Sequence, residues 1–257
     1  MSSGALNKQF IVMVGPAGSG KTTLTASFGK WLEENQGYSV GYVNLDPGVE
    51  ELPYRPDVDA RRYVRVRDVM EKLRLGPNGA LIVSVDMLLK HAPELVSEIS
   101  SLPHDFVIVD TPGQMELFLF RETGPAFISK FKELGQVAVV LIFDPTLTNR
   151  LVDAVALRLM NLVAQLRLAS ESTVIINKCD LLGEGSEDLL SPDLTALMEK
   201  LKGETGVLAD MAVKLLEVIS GFGLASRVVK VSAVTGEGLQ ELYDLLHEVY
   251  CTCGDLT

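Results

Sequence analysis

Four stretches of this chain carry residues whose types and spacing could do chemistry. In the first, Gly15-Pro16-Ala17-Gly18-Ser19-Gly20-Lys21-Thr22-Thr23, glycines alternate with small residues ahead of a lysine and two hydroxyls. Glycines let backbone N–H groups converge on anionic oxygens, and a following helix N-terminus adds its dipole. Lys21 can then reach outer phosphates, and the Thr22 hydroxyl can ligate a divalent cation. The second stretch, Asp110-Thr111-Pro112-Gly113-Gln114, supplies a carboxylate for holding that cation through water and, at Gly113, an N–H able to sense a terminal phosphate. The third, Asn177-Lys178-Cys179-Asp180, selects a base. The Asp180 carboxylate can accept from guanine N1–H and the exocyclic amine, whereas adenine presents a bare N1 there and leaves the charge unpaired. Lys178 can lie along the base plane with its alkyl stem. In the fourth, Ser232-Ala233-Val234 offers a backbone N–H to guanine O6. The chemistry implied is the holding of a guanosine nucleotide with Mg²⁺.

These stretches need elements to position them. Apolar runs of strand length recur at Phe10–Val14, Val40–Leu45, Phe106–Val109, Val137–Phe143, Val174–Ile176 and Val228–Val231, with helical periodicity between them. Runs apolar at every residue indicate strands covered on both faces, as in a parallel sheet between helices. The expected fold is a three-layer α/β domain over residues 1–257, and each chemical stretch follows one of its strands. Such strand ends form the rim where open α/β sheets bind ligands. The phosphate stretch opens a helical pattern running to about Asn35. Leu151, Val155, Leu159, Leu162 and Leu166 form one helical stripe, and Leu239, Leu242, Leu245, Leu246 and Val249 form another; both are read as core-facing. Two segments exceed a simple crossover: residues 47–102, with helical patterns on either side of Gly76-Pro77-Asn78-Gly79, and residues 182–226, read as a surface helical insertion.

Composition narrows the setting. Of 257 residues, 47% are hydrophobic and 22% charged, as in an ordinary globular chain, and the net charge of −11 argues against non-specific binding to nucleic acid or anionic lipid. A phosphate site here must be local. The longest apolar stretch, Val137–Phe143, is far short of a membrane span, and Met1–Gln9 shows neither the basic flank nor the apolar run of a leader. Three cysteines, Cys179, Cys251 and Cys253, exclude a disulfide scaffold and fit a reducing, cytoplasmic setting.

The phosphate loop, Asp-x-x-Gly, Asn-Lys-x-Asp and Ser-Ala motifs occur in the order seen in the P-loop GTPases, which the chain resembles from about residue 10 to 250. Asp46-Pro47-Gly48, Gly76-Pro77-Asn78 and Asp110-Thr111-Pro112-Gly113-Gln114-Met115-Glu116 look like the hallmarks of the GPN-loop GTPases, of the signal-recognition and nitrogenase-iron-protein class. The resemblance implies the P-loop NTPase fold, with a mostly parallel sheet and helical insertions, and GTP hydrolysis to GDP and phosphate. It also implies a homodimer or paralogue heterodimer in which Gly76, Pro77 and Asn78 of one subunit reach the nucleotide of the other. Asp46 and Gln114 are then the groups that orient or deprotonate water, with Glu116 in support, and Thr22, Asp46 and Asp110 are the metal candidates. Asn78 is uncharged and cannot replace an arginine finger, so turnover is expected to be slow and dependent on dimerisation. In eukaryotic relatives the role concerns assembly of RNA polymerase, which makes a protein client of that kind a possible partner. Two other functions compete: an ATP-driven metal-delivery or assembly ATPase of the same class, which the base motif opposes, and a GTP-holding scaffold with negligible hydrolysis.

Other conspicuous residues carry less. Trp31 reads as a packing residue, and His91, His104 and His247 show no ligand spacing. Cys251 and Cys253 form a tail without further ligands nearby, and Arg61, Arg62, Arg65 and Arg67 form a basic run that is either a solvated face or a partner patch.

Overall fold

The computed structural model describes residues 8–145, 150–182, 193–221 and 228–252. The six apolar runs are strands: β1 (Lys8–Val14), β2 (Val40–Asn44), β4 (Phe106–Asp110), β5 (Gly135–Phe143), β6 (Ser172–Ile176) and β7 (Val229–Lys230). The sequence pattern misses β3 (Val58–Asp59), whose two residues are too short to show a period. The sheet order is β3-β2-β4-β1-β5-β6-β7, and every pairing among the described strands is parallel. All strand ends that precede a chemical motif therefore lie on one rim. β1 sits centrally, with β4 on one side and β5 on the other, at the switch in chain direction where such sheets bind ligands.

Alternation along the strands builds two cores. On one face Phe10, Val12, Val14, Val107, Val109, Val139 and Leu141 pack beneath helices; on the other Ile11, Met13, Ile108, Val140 and Ile142 do so. The second face is covered by α1 (Lys21–Trp31), which continues as a wider π turn over Leu32–Gln36, and by α10 (Leu239–Thr252). Trp31 packs there as expected, stacked on Phe28 with ring centroids 6.0 Å apart. The first face carries the rest: α2 (Val66–Leu73), α3 (Pro77–Lys90), α4 (Ala92–Ser100), α5 (Met115–Leu119), α6 (Thr123–Leu134), α7 (Leu151–Leu168), α8 (Leu194–Gly203) and α9 (Val207–Gly221). Its centre is the Phe10–Phe131 stack, with centroids 5.0 Å apart. The 182–226 stretch contributes α8 and α9, which pack on α7 and place Leu197, Leu201, Ala212, Leu216 and Ile219 in that core. Its polar start at residues 183–192 lies outside the described residues.

One expected stripe holds in part: Val155 is buried and Leu151 and Leu159 pack against the core, but Leu166 is 76% exposed, and α7 also buries Ala154, Leu157, Arg158, Asn161, Ala164 and Leu168. Polar residues on the buried face hide it from a hydrophobic count: the Asn161 Oδ1 accepts from the Ser172 hydroxyl at 2.7 Å, and Arg158 Nη1 donates to the Ala154 carbonyl at 3.0 Å.

In urea denaturation followed by circular dichroism, Phe131→Ala is expected to lower unfolding free energy by about 3–5 kcal/mol, the loss typical of a truncated core aromatic. Leu166→Glu should stay within about 0.5 kcal/mol of the parent, as for a surface position.

Candidate active site

The phosphate loop spans the gap between β1 and α1. Gly18 and Gly20 take φ of 79° and 89°, a region closed to most side chains. A Cβ on Gly20 would also stand 2.3 Å from Asn177 Nδ2, so the glycine allows the base loop to close on the phosphate loop. α1 begins without a side-chain cap and without an acidic residue in its first turn, which leaves its N-terminal amides open to an anion. Lys21 is buried and donates to the carbonyls of Gly15 (2.7 Å), Pro16 (3.0 Å) and Gly113 (3.1 Å). Burial lowers its pKa, while the charges of Asp110, Asp46 and Glu116 act to keep it protonated. Thr22 is half-buried one residue on; Ala17, Gly18 and Thr23 are exposed, and Ser19 is buried.

Register places Asp110 beside this loop. Met13 of β1 pairs with Asp110 at the end of β4, and the Thr111 hydroxyl donates to the Met13 carbonyl at 2.6 Å. Asp110 is 1% exposed. Burial pushes its carboxyl up to about 6, against the opposing pull of Thr22, Tyr54 and Lys21. Its Oδ2 accepts from the Tyr54 hydroxyl at 3.0 Å, and its Oδ1 is buried without a hydrogen bond. Burial, together with the Asp110 charge, raises the Tyr54 phenol far above its ordinary range, so it acts as a donor. A hydroxyl and a buried carboxylate with one unpartnered oxygen are a donor set that suits a hard, oxygen-seeking divalent cation.

Asp46 lies just beyond β2, within reach of the same turn. Its Oδ2 accepts from the Gly113 N–H at 3.0 Å, its Oδ1 from the Gly48 N–H at 2.8 Å, and its own N–H donates to Asn44 Oδ1 at 3.0 Å. Burial raises its pKa, opposed by those two amides and by Lys21. Gln114 is half-buried at the start of α5, and Glu116 is exposed in the first turn of that helix.

The base loop is fastened to the phosphate loop. Asn177 Nδ2 donates to the Ser19 carbonyl at 2.9 Å, and Lys178, at a φ of 61°, donates to the Gly18 carbonyl at 2.7 Å. Asn177 Oδ1 accepts from the Ala233 N–H at 3.1 Å, which engages one amide of the Ser232-Ala233-Val234 turn. Asp180 is exposed, with Oδ1 held at 2.5 Å by the Ser232 hydroxyl, and Val234 is 82% exposed beside it. The Cys179 thiol is pushed up to about 11 by burial, which keeps it an inert filler of the motif.

The structure thus brings together Lys21, Thr22, Asp46, Asp110 and Gly113 at the phosphate end, and Asn177, Lys178, Asp180, Ser232, Ala233 and Val234 at the base end. Gly76-Pro77-Asn78 forms no free turn: Gly76 caps α3, Pro77 is its first residue, and the Ala80 N–H donates back to Gly76 at 2.9 Å. Asn78 is exposed, one turn before Leu81, whose Cδ1 lies beside Gly48. The basic run is neither a bare patch nor freely solvated at its first position. Arg61 grips Asp59 with Nε and Nη2 and donates through Nη1 to Val49 (3.2 Å) and Glu50 (2.8 Å) carbonyls; Arg62 pairs with Glu98 and Arg67 with Glu71. Asn44, Tyr54 and Asp59, which with Arg61 organise the segment after β2, are not among the residues that the sequence singles out. Their one visible signal was position within that strand-end segment. Among the described residues no group of His, Cys, Asp and Glu forms a ready metal cluster. Cys253 and the Cys251 side chain lie outside them.

Known proteins resemble this chain over most of its length. Residues 13–252 match the family model ATP_bind_1, described as a conserved hypothetical ATP binding protein. The GPN-loop GTPase PAB0955 of Pyrococcus abyssi is 41% identical over 252 residues, covering 96% of this chain and 99% of that one. Its crystal structure, titled as a GTPase in apo form, superposes with a TM-score of 0.87 at 39% identity, over 97% of this chain and all of that one. GPN-loop GTPase 1 of Dictyostelium discoideum is 31% identical over 242 residues, which are 91% of this chain and 59% of that protein. The adenine nucleotide in the family description sits poorly with an Asp180 that would face a bare ring nitrogen, whereas the relatives' names agree with the guanine reading. No helix among the described residues is long and apolar enough to cross a membrane. The chain belongs to the GPN-loop GTPases, and it is a GTP-binding GTPase of the P-loop fold.

Proposed function

We propose that this GTPase works as a Mg²⁺-dependent, dimeric conformational switch in the cytoplasm, serving the assembly of a protein complex. The observation that carries the reading is the 3.0 Å hydrogen bond from the Gly113 N–H to Asp46 Oδ2. The amide suited to a terminal phosphate already serves a carboxylate on a different strand end. A phosphate oxygen and the Asp46 carboxylate are alternative acceptors for that one N–H, so gain or loss of the terminal phosphate must rearrange the turn after β2 relative to the turn after β4. Nucleotide state becomes protein shape through this exchange.

The chain's own residues supply the chemistry. The α1 amides and the Lys21 ammonium receive the charge on the outer phosphates. Asp46, with a proton affinity raised by burial, orients and deprotonates the attacking water; Gln114 helps to place it and Glu116 supports them. A divalent cation, when bound, neutralises phosphate charge, and Thr22 and Asp110, with Asp46 as a further candidate, are the residues that would hold it. Asn78 of a second copy donates its side-chain amide to a phosphate oxygen or the water. Its exposure supports this role, because it leaves Gly76-Pro77-Asn78 open to a partner.

Three outcomes test the reading. Asp180→Ala is expected to weaken GDP binding about 100-fold in calorimetry and to leave the weak binding of ADP unchanged, since it removes charge-assisted hydrogen bonds that only guanine makes. Under single-turnover conditions, Asp46→Asn should slow phosphate release by at least about 100-fold, the scale of a lost general base, with GTP affinity changed by no more than about threefold. Turnover per subunit should rise with protein concentration and fall in Asn78→Ala; a rate independent of both would remove the dimer from the mechanism.

A further inference from the structure

Asp110 has two carboxylate oxygens in unlike surroundings. Oδ2 is held at 3.0 Å by the Tyr54 hydroxyl, whereas Oδ1 is buried and makes no hydrogen bond. Tyr54 comes from the segment between β2 and β3, where Glu51, Pro53, Arg55 and Asp57 are exposed and Tyr54 alternates inward. That segment is fastened at both ends. Arg61 donates to the Val49 and Glu50 carbonyls near its start; near its end the Asp57 N–H donates to the Tyr42 carbonyl at 2.8 Å, and the Tyr42 N–H returns a 2.8 Å bond to Asp57 Oδ2. The Tyr54 ring stacks on Tyr42, with centroids 5.2 Å apart and planes 25° from parallel. Tyr42 is itself seated against α1, where a Cβ on Gly29 would stand 2.3 Å from its hydroxyl oxygen. The phenol therefore approaches Asp110 from a fixed direction.

We propose that Tyr54 is a positioning residue for the cation site: by holding Asp110 Oδ2 it locks the carboxylate's rotation and reserves Oδ1 for the water shell of the divalent cation. The inference rests on the Mg²⁺-dependent reading above. A carboxylate with both oxygens free would keep rotating and recruit solvent to either side, and its ordering would then oppose cation binding. With one oxygen bonded in advance, that ordering is complete before the cation arrives. The hydroxyl also joins the segment after β2 to the carboxylate at the end of β4 by a route separate from the Asp46–Gly113 contact.

The test is the release rate of fluorescent GDP from the full chain, measured across buffered Mg²⁺ concentrations. Tyr54→Phe keeps the ring and its stack and removes only the donor; it is expected to raise the Mg²⁺ concentration at half-effect about tenfold, in line with a lost hydrogen bond to a charged group. Its GDP affinity in excess EDTA should match the parent, and Tyr42→Phe should leave the half-effect concentration unchanged. Tyr54→His, whose shorter ring can stack but ends short of Asp110, should reproduce the displacement. An unchanged half-effect concentration in the Tyr54 variants, or an equal loss of GDP affinity with and without Mg²⁺, overturns the proposal in favour of a purely structural tyrosine. A parent protein whose GDP release ignores Mg²⁺ overturns instead the cation reading on which the proposal stands.

Discussion

The constraint on which the site depends is electrostatic. A chain of net charge −11 must receive a polyanion at a place where Asp46, Asp110 and Glu116 already act on one buried ammonium, Lys21. A lysine among three carboxylates does not make an anion site by net charge. What makes one is direction: the uncapped start of α1 and the glycine-bent loop before it aim N–H groups at one point, and dipoles aimed through a poorly solvated space outweigh charges that lie to the side. The carboxylates are in turn confined. Asp46 is tied by two backbone amides and Asp110 by a phenol, so neither can swing into the phosphate position at will.

The sheet makes this confinement affordable. Because all the described strands run parallel, β1, β2, β4, β6 and β7 deliver their following loops to the same rim, and register brings Asp110 alongside Met13, just before the phosphate loop. Two hydrophobic layers, one on each sheet face, fix those strand ends from below. The polar network above them inherits its accuracy from apolar packing that no ligand touches.

Much of this was legible in the residues. Four of the six main strands announce themselves as unbroken apolar runs, and the phosphate, cation and base motifs each sit where such a run stops. The fold, and the gathering of those motifs on one rim, follow from that coincidence. The parts that were not legible share a physical cause, which is that they rest on single polar residues without period or spacing. β3 is two residues long; α7 buries Arg158 and Asn161, so its true inner face does not look apolar; and the arginine run reads as surface until Asp59, Val49 and Glu50 are seen to occupy Arg61. Tyr54 is one aromatic in a polar loop, and only three-dimensional closure brings it to Asp110. Gly76-Pro77-Asn78 is a turn by composition but the first turn of α3 in space.

The bonds from Asn177 and Lys178 to the carbonyls of Ser19 and Gly18 have a further effect on discrimination. In the proposed nucleotide site they weld the base loop to the phosphate loop, so the two halves of a nucleotide would be weighed by one rigid balance rather than by two independent hands. A molecule offering only a triphosphate tail, or only a nucleobase, meets a receptor whose shape was set for the distance between them. Selectivity is thereby built into span as well as into chemistry.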